Sequence, residues 1–128
     1  GKIAKYKEAG KLNDLFKEAP LNKSHKKYGF EEPLKYFVPS IGISEIIKVP
    51  NFAGIKSNNV FVVSAMGNNL NEGDKSIHYF TLDENNEIKN YNYTAIGERI
   101  RDLKYIENLG VIIMVLENSP SLGIINLR

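Results

Sequence analysis

The stretch GERIRDLKYI, residues 97–106, decides how the chain is read. It reads as the start of a β-strand, yet it opens on two arginines two positions apart with an aspartate directly behind them. In a strand, residues i and i+2 project to the same face, so Arg99 and Arg101 are expected side by side. Neighbouring cations repel unless an anion lies between them. Two readings fit. The pair belongs to a surface ion-pair ladder, worth only ~0–1 kcal/mol. Alternatively, it grips an anionic ligand, because guanidinium forks pair with carboxylates bidentately. In the second reading Asp102 restrains one guanidinium from its other side.

Upstream of this stretch the chain is strand after strand. SEIIKVP (44–50) alternates and ends at a proline, and NVFVVSAM (59–66) is β-branched and aromatic. SIHYFTL (76–82) and EIKNYNYTA (87–95) flank Asp83-Glu84-Asn85-Asn86, a good hairpin turn. Downstream come GVIIMVLE (110–117) and SLGIINL (121–127). Short strands with turn signals between them predict an all-β fold. The order also repeats. Four strands precede Gly97, and IRDLKYI, GVIIMVLE and SLGIINL match the first three of them, about one propeller blade (~40–50 residues) further on. Four antiparallel strands per repeat describe a β-propeller blade. The prediction is thus a partial propeller of about two blades, spanning residues 33–128, as a piece of something larger. A seven-stranded sandwich or meander fits the same periodicity.

Residues 1–32 differ. They are rich in Lys and Glu and poor in β-branched residues. LNDLFKEA (12–19) predicts a short helix capped by Asn13 or Asp14, and the rest reads as loop.

The blade reading gathers the polar segments. VPSIGIS (38–44) and GERIRD (97–102) lead into the first strand of each set, and MGNNLNEGDK (66–75) and ENSPS (117–121) join second to third strands. All four are expected around one mouth of a channel, where loops on a rigid scaffold carry function.

Composition removes other classes. The net charge of +2 is too small for a nucleic-acid face, and no apolar run approaches the ~20 residues of a membrane span. With no cysteine there is no thiolate nucleophile and no disulfide. His78 reads as packed in a strand and His25 as solvated, neither with a second metal-type ligand at useful spacing. NNLNEGD (68–74) is Asx-rich but lacks the ordered alternation of a calcium loop, so it reads as a turn.

The blocks EEPLKYFVPSIGISEI (31–46), a Phe-Val strand, GERIRDLKYI and a Ser-Leu-Gly turn, in that order, resemble the C-terminal part of the glucose/sorbosone dehydrogenase family. The resemblance runs from about Tyr28 to the C-terminus. It implies a six-bladed propeller that oxidises a sugar hydroxyl by hydride transfer to pyrroloquinoline quinone (PQQ), periplasmic or secreted, with calcium bound elsewhere in the parent protein. It implies that Arg99 and Arg101 grip quinone carboxylates, with Ser40 in the matching Pro-Ser turn and Lys75 displaced beyond an insertion. Val38 stands where the family has a stacking aromatic, and Met66 and Gly67 stand where it has a lysine. The family's catalytic histidine has no counterpart here, so the chain alone is expected to be inactive. A non-catalytic binding module is the alternative. Replacing either arginine is expected to leave the fold nearly unchanged, and open blade edges are expected to promote self-association.

Overall fold

The computed structural model describes residues 29–31, 33–35, 37 and 40–128. The helix expected over residues 12–19, His25, and Val38-Pro39 lie outside them. The chain divides into two compact units, residues 1–33 and 34–128, and the second carries the fold.

That fold is all-β, with seven strands in two antiparallel sheets. The first sheet is ordered β1 (Ile43–Val49), β2 (Val60–Ala65), β3 (Ser76–Leu82) and β4 (Ile88–Ala95). The second is β5 (Ile100–Ile106), β6 (Val111–Leu116) and β7 (Ser121–Asn126). Each strand pairs with its sequence neighbour, so both sheets are simple meanders. The turns follow from their residues. Between β3 and β4, the Asp83 Oδ1 accepts the backbone N–H groups of Asn85 and Glu87, and Asn86 takes a positive φ of 60°.

The two sheets repeat one another in register. Ile43 pairs with Ala65 and Val49 with Val60, and in the second sheet Ile100 pairs with Leu116 and Ile106 with Val111. Both first strands carry a bulge at the same place, between Ile43 and Glu45 and between Ile100 and Asp102. A bulge puts one extra residue on its strand and re-aims its side chains. It explains why Ile100 and Leu103, three apart, are both buried where strict alternation allows only one of them.

The core lies between the sheets. Val49, Val60, Val62, Ile77 and Tyr79 of the first sheet meet Ile100, Leu103, Ile112 and Met114 of the second. β1 and β2 pack against β5. A second layer lies on the other face of the first sheet, where Phe37 sits edge-on to His78 at 5.2 Å and Phe61 stacks on Phe80. That layer explains why β3 is buried on both faces while β7 is not.

Candidate functional site: an arginine pair sharing one carboxylate

β1, β3, β5 and β7 begin at one end of the sheets, and β2, β4 and β6 finish there. Residues 40–42, 66–75, 96–99 and 117–120 therefore share that end. Backbone bonds tie these segments together. Gly67 N–H donates to the Ile41 carbonyl at 2.9 Å, and Ile96 and Gly97 N–H both donate to the Lys75 carbonyl. Between the sheets, the Ser44 hydroxyl donates to the Ile100 carbonyl at 2.6 Å. A carbonyl only accepts, so Ser64, 2.7 Å away, must donate its own proton to Ser44.

The two arginines converge here. The Arg99 Nε donates to the Met66 carbonyl at 2.7 Å, bridging from the second sheet to the first. The anion between the guanidinium groups is Glu117. Its Oε2 lies 3.3 Å from Arg99 Nε, and its Oε1 accepts from Arg101 Nη2 at 2.8 Å and, more weakly, from Arg99 Nη1 at 3.4 Å. The expected partner was Asp102. Its exposed side chain makes no ion pair or hydrogen bond among the described residues. Glu117 is placed by pairing. It follows Leu116, the partner of Ile100, and its N–H donates to the Arg99 carbonyl at 3.0 Å. Straight counting along the antiparallel pair from Ile106 and Val111 sets Glu117 opposite Ile100, and only the bulge moves it to Arg99; the Met66 carbonyl, a main-chain group, left no signal in the sequence.

Two further expected residues stand near this pair without touching it. Exposed Ser40 accepts the Gly42 N–H at 3.4 Å. Lys75 takes a positive φ of 51° at the start of β3. Neither hydrogen-bonds to either arginine among the described residues. Met66 lies just past β2 rather than within it, and serves through its carbonyl.

Beside the pair runs a groove of about 460 Å³ lined by Arg101, Glu117, Val115, Leu122, Pro120 and Ser121. Its floor is aliphatic and its rim charged. The two guanidinium groups share Glu117, and a second carboxylate at the same end, Glu98, accepts from the Ser119 hydroxyl at 2.8 Å, so two cations face two anions; among the described residues most of the guanidinium N–H groups have no protein partner.

The 66–75 loop is organised from within. The buried Asp74 Oδ2 accepts the Asn69 N–H at 2.5 Å, and the Asn69 side chain caps the turn Leu70–Glu72. Gly67 is required there, because a Cβ would sit 2.0 Å from Asp74 Oδ1. The loop closes on His78, which is 1% exposed. Its Nε2 faces the Gly73 carbonyl at 2.7 Å, so Nε2 carries the proton and donates it. The Nδ1 then accepts from the Tyr91 hydroxyl at 2.8 Å. Burial pushes the His78 pKa below its ordinary value, and burial likewise raises that of Tyr91. His78 is thus a satisfied, neutral histidine in the sheet. No group of three or more metal-ligating side chains occurs among the described residues, and no helix among them is long and apolar enough to cross a membrane.

No family model, curated protein or solved structure matches this chain.

Proposed function

We propose that residues 34–128 are two successive blades of a propeller, and that the Arg99–Arg101 pair binds the carboxylates of a planar quinone cofactor of the PQQ class in a sugar-oxidising parent. The observation that carries this reading is the convergence of both guanidinium groups on one carboxylate at the rim of an aliphatic groove. The arrangement suits a flat, carboxylated ring. The ring would lie over Val115, Leu122 and Pro120, and its carboxylate would take the unused N–H groups of Arg101 or compete with Glu117. Charge-assisted hydrogen bonds of this kind contribute about 1.5–3 kcal/mol each when well formed. The equal register and matching bulges of the two sheets support the blade reading, since a repeated meander is how a propeller is built. When bound, such a quinone would supply the hydride acceptor for a sugar hydroxyl. The residues here would bind and orient it. None of them is placed to abstract the substrate proton, and none is assigned to calcium.

A second reading has its own support. Glu117 already offsets much of the pair's charge, which fits a non-catalytic module that meets a partner through its exposed sheet face. Fluorescence titration of the 128-residue chain with PQQ, against a quinone without carboxylates, separates the two. Binding of PQQ alone supports the cofactor reading; equal binding of both, or of neither, supports the module.

A further inference from the structure

The two sheets do not pack as mirror partners. By register, Val60, Val62, Ile77 and Tyr79 of the first sheet correspond to Val111, Ile113, Leu122 and Ile124 of the second. Likewise Ile43 and Ile46 correspond to Ile100 and Leu103. The first sheet buries its Val62–Tyr79 face, and the second buries Ile100 and Leu103 against it. The packing is therefore head to tail, with opposite faces in contact. Part of the complementary half of each face is left open, although Val63, His78 and Phe80 of the first sheet are already buried on the side where Phe37 lies. Ile43 and Ile46 are 54% and 52% exposed on the first sheet, beside a groove of about 340 Å³ that includes Val63 and Phe80. Leu122 and Ile124 are 67% and 68% exposed on the second.

We propose that these two open faces bind each other between copies of this chain, repeating the packing already made within it. Ile43 and Ile46 of one copy would take the positions over Ile113, Leu122 and Ile124 of the next that Ile100 and Leu103 take over Val62, Ile77 and Tyr79. The argument is continuity with the existing sheet–sheet interface; Leu122 also lines the groove beside the arginines, so a copy seated on it and a ring lying over it exclude one another. Leu34, Lys35 and Phe37 line the same groove as Ile43 and Ile46, so the incoming copy would meet these two half-exposed isoleucines beside that segment. Lys104 is the position that departs from the pattern. It replaces the apolar Ile47 of the first sheet, and its aliphatic stem must lie along the contact with its ammonium in solvent. Such a contact is heterologous and continues from copy to copy until a ring closes.

The test uses two substitutions at exposed positions outside the arginine groove, Ile46→Asp and Ile124→Asp. Circular dichroism establishes that each variant keeps its strands. By sedimentation velocity at tens of micromolar, a range suited to concentration-dependent pairing, the wild-type chain is expected to be oligomeric and each variant alone monomeric. Mixed one to one, the variants are expected to form a heterodimer, because each retains the face the other has lost. A monomeric wild type, variants that still associate, or a mixture that stays monomeric would each overturn the proposal.

Discussion

Glu117→Gln removes the charge between the arginines while keeping the shape of the side chain. Its effect can be worked from the geometry. Two ion pairs are lost, at 2.8 Å to Arg101 and 3.3 Å to Arg99, between side chains that are 49%, 34% and 32% exposed for Arg101, Arg99 and Glu117. Pairs this exposed contribute about 0.2–1 kcal/mol each. The new amide oxygen still accepts one guanidinium N–H, which returns part of the loss, whereas the arginines now repel one another. The net destabilisation comes to about 1 kcal/mol. For a unit the size of residues 34–128, that lowers the melting temperature by roughly 4–8 °C. The assay is calorimetry in low salt and in 1 M NaCl. Screening lengths fall from ~10 Å at 0.1 M to ~3 Å at 1 M, so the gap between variant and wild type should narrow in high salt. Equal melting temperatures at low salt would show that Glu117 does not hold the pair. A gap indifferent to salt would show that the effect is not electrostatic.

The remaining predictions follow the same geometry. Arg99→Leu should lower stability by about 1–2 kcal/mol, because Arg99 bridges the sheets through the Met66 carbonyl in a charge-assisted bond. Arg101→Leu, at a more exposed site, should cost under ~1 kcal/mol; chemical denaturation of both variants checks the order, and equal losses would contradict it. The depressed pKa of His78 makes stability full above the ordinary value of 6.5 and lost as pH falls from there through the folded value. Urea melts between pH 8 and 5 should therefore show a slope of up to ~1.4 kcal/mol per pH unit that vanishes in His78→Gln. Gly73→Ala should destabilise by about 2–4 kcal/mol in thermal melts, since Gly73 has a φ of 87° and a Cβ would lie 2.7 Å from His78 Cε1.

The strands were legible because alternation and turn chemistry act locally. SIHYFTL and IRDLKYI coincide with β3 and β5, and the Asp83 turn forms as its residues dictate. The site was legible only in part. The Arg99–Arg101 spacing revealed a charge problem, and the strand order brought residues 66–75, 96–99 and 117–120 to one end. Asp102 was the wrong partner: it was chosen for its nearness in sequence, whereas Glu117 comes from the neighbouring strand, and the bulge between Ile100 and Asp102 sets which residue of that strand meets Arg99. The expectation that replacing either arginine leaves the fold nearly unchanged is what the Arg99→Leu and Arg101→Leu denaturation curves test. The bond from Arg99 to a main-chain oxygen across the sheets has no signature in residue types.

The proposed cofactor grip is tested most directly by measuring PQQ affinity for the wild-type chain and for the Arg99→Leu/Arg101→Leu variant, at a temperature where both are folded. Loss of one to two well-formed charge-assisted bonds, at about 1.5–3 kcal/mol each, predicts at least a tenfold to hundredfold weaker Kd, with ~1.4 kcal/mol per factor of ten. An unchanged Kd in the folded double variant would contradict it.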